Sequence, residues 1–194
     1  MNKYSIIYIP FFIILIFLSS CGDVSIPKPH GYIRTDYPEK KYQTFDTNYP
    51  YKFKYPVYSK IENDSTPNAE KYWANIIFPS FNAKIYISYK KINGNLSNFE
   101  EDTRKLAYKH SIKADAINSQ VWNNPQKKVY GVLYEIKGDV ASQIQFYLTD
   151  STTNFIRAAF YFNAIPNKDS LAPALEFIRK DIDVMIESFE WKNN

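Results

Sequence analysis

KVYGVLYEIKGDVASQIQFYLTDSTTNFIRAAFYFN, residues 128–163, contains three apolar runs separated by two turn signals. The runs cover 128–137, 143–149 and 155–163. They are rich in Val, Ile, Tyr and Phe, whose branched or aromatic side chains suit a pleated, half-buried surface. Gly138-Asp139 and the Asp150-Ser151-Thr152-Thr153-Asn154 run break them. Both are turn chemistry, and links this short join antiparallel neighbours. The stretch therefore predicts three consecutive antiparallel strands.

Upstream, residues 51–57 alternate Tyr51, Phe53, Tyr55 and Val57 with Lys52 and Lys54, a period of two that predicts another strand. Residues 73–78 and 83–92 read as two more, joined as a hairpin through Pro79-Ser80-Phe81-Asn82. The polar stretch 60–72 (KIENDSTPNAEKY) reads as a loop, and Asn93-Gly94-Asn95 stops the sheet. Ser97-Asn98-Phe99-Glu100 has capping-box spacing, and Phe99, Leu106, His110 and Ala114 follow at near-helical intervals, predicting a first helix. Downstream of the opening stretch, Asp169 or Ser170 is expected to cap a second helix with Pro173 in its first turn. Leu171, Leu175, Ile178, Ile182, Met185, Ile186 and Phe189 form its apolar stripe, with Glu176–Lys180 and Arg179–Asp183 as pairs for the other face.

The order is strands, helix, strands, helix. It argues an α+β domain: one antiparallel sheet of about six strands with two helices packed on its apolar face. The element order resembles the PsbP-like sandwich, an analogy of architecture without a shared motif.

A chain of 194 residues has room for one such domain plus a leader. Residues 1–20 read as a lipoprotein signal peptide, 21–50 as a lipid-anchored Pro/Tyr-rich segment and 51–194 as the single α+β domain. Lys3 precedes an apolar run over 6–18, too short to span a bilayer, which takes about 20 residues. The run ends in Leu18-Ser19-Ser20-Cys21, which resembles a bacterial lipobox, so Cys21 is expected to carry the lipid. It is the sole cysteine, and an intrachain disulfide is excluded. Several acyl chains together anchor a protein stably, where one binds only marginally.

PKPHGYIRTDYPEKKY, residues 27–42, follows the anchor. Pro27, Pro29 and Pro38 favour extended backbone, while Tyr32, Ile33, Tyr37 and Tyr42 give that backbone something to bury. The segment either packs along its own domain or docks a partner. Pro29, Gly31, Tyr32, Arg34, Tyr37 and Pro38 are the candidate docking residues.

A formal charge of +4 without a basic run gives no footprint for nucleic acid. Two histidines, His30 and His110, are the whole imidazole inventory, and with Cys21 lipidated no Cys/His zinc site can be assembled. No phosphate-binding, dinucleotide-binding or nucleophile-elbow motif occurs, so no cofactor, metal or catalytic residue is expected. His110 reads as a hydrogen-bonded core residue, and Glu100, Glu101 and Asp102 as first-turn acids that complement a helix dipole. The expectation is a protein that is not an enzyme. A carbohydrate-binding module, using the faces of Trp73 and Trp122, is the alternative.

The leader, PKPHGYIRTDYPEKKY, KYWANIIFPSFNAKIYISYK, RKLAYKHSIKADAI, KKVYGVLYEIKG, FYLTDSTTNFIRAAFYFN and PNKDSLAPALEFIRKDI occur in one order. Together they resemble the gliding motility lipoprotein GldD family of Bacteroidetes, over nearly the whole mature chain. The resemblance implies a lipid-anchored, periplasm-facing envelope protein required for gliding, in the inner or the outer membrane. It also implies two kinds of partner: the membrane through the N-terminal lipid, and other envelope proteins of the gliding and type IX secretion machinery. Only Cys21 carries over as a chemically defined site, with Ser20 where the common lipobox has Gly or Ala. Asp64-Ser65-Thr66 looks like the O-glycosylation acceptor of that phylum, and Ser65 is the candidate acceptor.

Overall fold

The computed structural model describes residues 36–192. The opening stretch forms β7 (Val129–Gly138), β8 (Ile144–Thr149) and β9 (Asn154–Phe162), paired antiparallel in sequence order. β8 is buried along its full length because it has a strand on each side and a helix on each face. Asp150 closes the β8–β9 turn, its Oδ1 accepting the N–H groups of Thr152, Thr153 and Asn154. Those donors hold its carboxyl below the usual range against the opposing effect of burial. Gly131 permits a close approach of β7 to β8, since a Cβ there would lie 2.0 Å from the Tyr147 carbonyl oxygen.

Five strands precede this meander: β1 (Tyr42–Phe45), β2 (Tyr51–Pro56), β3 (Lys60–Asn63), β4 (Ala74–Phe78) and β5 (Ala83–Lys91). A 3-10 turn at Pro79–Phe81 makes β4 and β5 the expected hairpin. Helix α1 (Leu96–Tyr108), β6 (Ala114–Asn124), helix α2 (Lys168–Ser188) and β10 (Glu190–Trp191) complete the chain. One sheet has the order β3-β4-β5-β9-β8-β7-β6 and the other β1-β2-β10, with antiparallel pairing in both. The protein is a mixed α+β fold with two helices and antiparallel sheets.

The helices take opposite faces of the larger sheet, where a single helix-covered apolar face was expected. Ile178, Ile182, Met185 and Ile186 of α2 share one core with Ile85 and Ile87 of β5, Phe146 and Leu148 of β8, and Ile156 and Phe160 of β9. The smaller sheet closes the same side through Tyr51 and Phe53, both stacked on Phe189. On α1, Ala107 packs with Tyr134, Ile136 and Val140, while Leu96 and Phe99 pack with Ile92, Tyr147 and Phe155. Tyr134, Tyr147 and Phe155 are the immediate neighbours of Leu133, Phe146 and Ile156, so strand alternation sends them to the other face. The central strands are apolar in both parities, which is why each face can hold a helix.

Several local expectations are corrected. Residues 60–63 are β3, an edge strand whose side chains are mostly exposed, so its polar composition hides the pairing with β4. α1 stops at Tyr108 and buries Thr103 and Ala107, leaving Leu106 largely exposed; His110 sits in the turn beyond, and Ala114 opens β6. Asn95, not Ser97, occupies the N-cap of α1 and makes no side-chain cap bond. Asn167 caps α2, accepting the Ser170 N–H, and Pro173 lies past the first turn. β1 lies ahead of residue 51 and pairs with β2 in the register Tyr42↔Pro56 to Phe45↔Phe53.

Candidate functional site

The polar cluster richest in long-range contacts forms where the chain enters the domain. β1 runs antiparallel to β2, and the Val57 N–H donates to the Lys41 carbonyl at 2.9 Å, which brings Lys40 beside Tyr58. Helix periodicity places Phe177 and Asp181 one turn apart on α2. Lys40 Nζ donates to Asp181 Oδ1 at 2.7 Å, to the Phe177 carbonyl at 2.8 Å and to the Tyr58 hydroxyl at 3.0 Å. The Tyr42 hydroxyl donates to Asp181 Oδ1 at 3.0 Å, and the Tyr58 hydroxyl donates to Asp181 Oδ2. Asp181 is 2% exposed. A carboxylate this deep is tolerated because all three donors converge on it.

Aromatic contacts surround the ion pair. Tyr37 stacks on Phe177 with ring centroids 4.5 Å apart and on Phe81 at 5.9 Å. Lys40 Nζ sits 3.3 Å from the Phe177 ring centroid, a cation–π geometry. Burial lowers the basicity of Lys40, with Asp181 opposing. Burial, assisted by Asp181, pushes the Tyr42 hydroxyl up to about 12 and the Tyr58 hydroxyl higher still. At neutral pH both phenols stay protonated and donate, as the network requires. The arrangement is a clamp: it holds residues 37–42 on α2.

Of the candidate docking residues, Tyr37 and Pro38 are half-buried, and Tyr37 lies in this clamp. Pro29, Gly31, Tyr32 and Arg34 lie outside the described residues, as does Cys21. Lys40, Tyr58, Phe177 and Asp181 escaped the sequence reading. The signal that could have found them is Asp181 itself, an acid between Ile178 and Ile182 on an apolar stripe. Ser65 is exposed in the loop after β3, next to Asp64, whose Oδ1 accepts the Thr66 N–H.

Trp73 and Trp122 do not form one surface. Trp73 precedes β4 and donates its Nε1–H to the Tyr89 carbonyl, whereas Trp122 on β6 packs against the α2-side core. Four strands separate β4 from β6 in the sheet. His110 is half-buried, and the charges acting on it are the cations Arg157 and Lys109, which together with burial hold its pKa down. Among the described residues, no group of three or more His, Cys, Asp or Glu side chains is placed to hold a metal ion. No helix among them is long and apolar enough to cross a membrane.

These features define a mixed α+β domain whose N-terminal entry strand is clamped to its C-terminal helix. One similar solved structure is the solution structure of cyanobacterial PsbP from Synechocystis sp. PCC 6803, at 13% identity and a TM-score of 0.49, covering 90% of this chain and 98% of that one. No curated protein matches the sequence. The family model for gliding motility lipoprotein GldD matches residues 22–191, and the chain belongs to that family. Membership associates it with gliding motility as a lipoprotein.

Proposed function

We propose that this chain is a non-enzymatic, periplasm-facing lipoprotein that assembles or stabilises the gliding and type IX secretion apparatus, anchored through acylated Cys21. The clamp carries this reading. Lys40 and Tyr42 tie the entry segment to Asp181 on the helix that closes the core, so a force on the anchor enters the body of the domain. Asp36, the first described residue, lies fifteen residue steps beyond Cys21. Even fully extended they reach at most about 50 Å, so the domain works close to its membrane.

Residues 29–34, ahead of the clamp, are the stretch we assign to a partner protein, while Tyr37 and Pro38 are engaged by the domain. Ser65, exposed in its loop, is accessible to a glycosylating enzyme. The non-enzymatic assignment is supported by His110, whose charged neighbours are cations and not the acid that a general-base pair requires.

Cys21→Ala tests the anchor. Metabolic labelling with a fatty acid should mark the wild type and leave the variant unmarked, with gliding lost and the precursor uncleaved or mislocalised. Equal labelling of both would remove the lipid assignment. Crosslinking in cells should recover gliding or secretion components with the wild type, and recovery of bulk envelope proteins alone would remove the assembly role.

A further inference from the structure

The α1 face of the larger sheet is only partly covered. Beyond the helix lies an open trough of about 840 Å³, lined by Ile77, Lys84, Tyr86, Arg157, Ala159 and Tyr161 among others. The sheet register builds it. Tyr86 pairs across to Ala159 and Lys84 to Tyr161, while Ser88 lies opposite Arg157. Ala159, buried and short, therefore sits between the Tyr86 side of β5 and the Gln145 position of β8, with Arg157 and Tyr161 flanking it along β9. The Tyr86 and Tyr161 rings meet edge to face at 5.7 Å, and Lys84 Nζ lies 5.3 Å from the Tyr86 ring centroid.

The polar groups on this face are left incomplete. Arg157 Nη2 donates to Gln145 Oε1 at 2.7 Å, yet its Nε is buried with no acceptor. No carboxylate among the described residues forms an ion pair with Arg157. Gln145 is fully buried and its Nε2 also lacks an acceptor. Asn75 of β4, opposite Tyr86 and 8% exposed, has an Oδ1 with no donor. Of these three residues Arg157 alone lines the trough, and a guanidinium without an acid partner there calls for an anionic ligand. Arg157 also bears on His110, which lies near Lys109, so the local field is positive.

We propose that this trough binds a carboxylated sugar, a uronate-type residue of an acidic glycan. Its carboxylate supplies the acid partner that the Arg157 guanidinium lacks, and charge complementarity to Arg157 and Lys84, both in the trough's lining, selects it over a neutral sugar. The Tyr86 and Tyr161 faces take the apolar side of a pyranose ring, and the volume falls within the range of small-ligand clefts, about 300–1,000 Å³. This site is independent of the clamp and of the lipid anchor.

The test is titration calorimetry of the full-length chain in detergent with a glucuronate tetrasaccharide, a glucose tetrasaccharide, a tetraglutamate peptide and inorganic phosphate. The glucuronate oligomer should bind and the glucose oligomer should not, with Lys84→Glu and Tyr86→Ala each weakening it at least tenfold and Arg157→Met abolishing it. Circular dichroism reports the fold of each variant. Should Arg157→Met fail to fold, the two rim variants decide the question. Equal binding of glucose and glucuronate oligomers, equally tight binding of the peptide or phosphate, or unchanged affinity in the rim variants would overturn the proposal.

Discussion

Asp181 and Arg157 are two charges set inside the same domain and served very differently. Asp181, on the α2 side, receives an ammonium and two phenols. Arg157, on the α1 side, has one amide oxygen and the neighbouring Tyr161 hydroxyl, but no carboxylate, and its buried Nε has no acceptor. The first is a closed network: removing any member strands another. The second has no counter-ion among the described residues. A charge that finds its counter-ion inside the fold holds structure together, while one that does not can serve a ligand, as proposed above for Arg157.

Removing Asp181 should give the largest effect. Breaking a buried pair by deleting one partner costs about 3–5 kcal/mol. Lys40 keeps some solvent access, so Asp181→Ala belongs at the lower end of that range. A loss of about 3 kcal/mol in a domain of this size lowers Tm by roughly 6–12 °C, measurable by circular dichroism on the full-length chain in detergent. The double variant Lys40→Met with Asp181→Leu should recover only part of that loss, because an apolar pair replaces the ions while the Tyr42 and Tyr58 hydroxyls lose their acceptor. An Asp181→Ala protein that melts like the wild type would mean that the clamp is ornamental.

Tyr37→Ser comes next. It removes the stack on Phe177 and part of the buried surface, for a loss of about 1–2 kcal/mol. Melting should shift down by a few degrees while crosslinks to partner proteins persist. Unchanged melting with lost crosslinks would reverse the assignment and make Tyr37 a docking residue.

Arg157→Met should move stability least, within about 1 kcal/mol, since removing an incompletely paired buried cation offsets the donor that the buried Gln145 Oε1 loses. It also has a titration signature. Burial, then Arg157 and Lys109, hold the His110 pKa below its ordinary 6.5. Protons therefore prefer the unfolded chain between the folded value and 6.5, and wild-type stability falls as pH drops through that window. In Arg157→Met the His110 ring should titrate higher by NMR, and the acid loss should shrink. A large destabilisation, or an unmoved His110, would show that Arg157 is as fully served as Asp181.

Strands β7, β8 and β9 were legible because their apolar runs are long and their turns carry Gly138, Asp139 and Asp150. β6 was not. As an edge strand it leaves most of ADAINSQVWNN exposed, so neither a period of two nor an apolar run survives. The end of α1 was blurred for another reason: Leu106 is apolar yet 42% exposed, and His110 and Ala114 carry its spacing on into a turn and a strand. Of the candidate site, Tyr37 and Tyr42 were legible as aromatic residues of the entry segment, while Lys40 and Tyr58 were not. Phe177 and Asp181 lie 140 and 144 residues further along the chain than Tyr37.

The sequence by itself determined the strands of the central meander and the β4–β5 hairpin, the presence of two helices, the apolar stripe of α2 and the family. Those are properties of neighbours, set by alternation, helical spacing and turn residues within a few positions of one another. Tertiary structure alone decided that the helices take opposite faces, that Lys40, Tyr42 and Tyr58 converge on Asp181, and that Arg157 is left short of acceptors. The pairing of a buried charge depends on which distant elements the packed sheet brings beside it, and no local pattern records that choice.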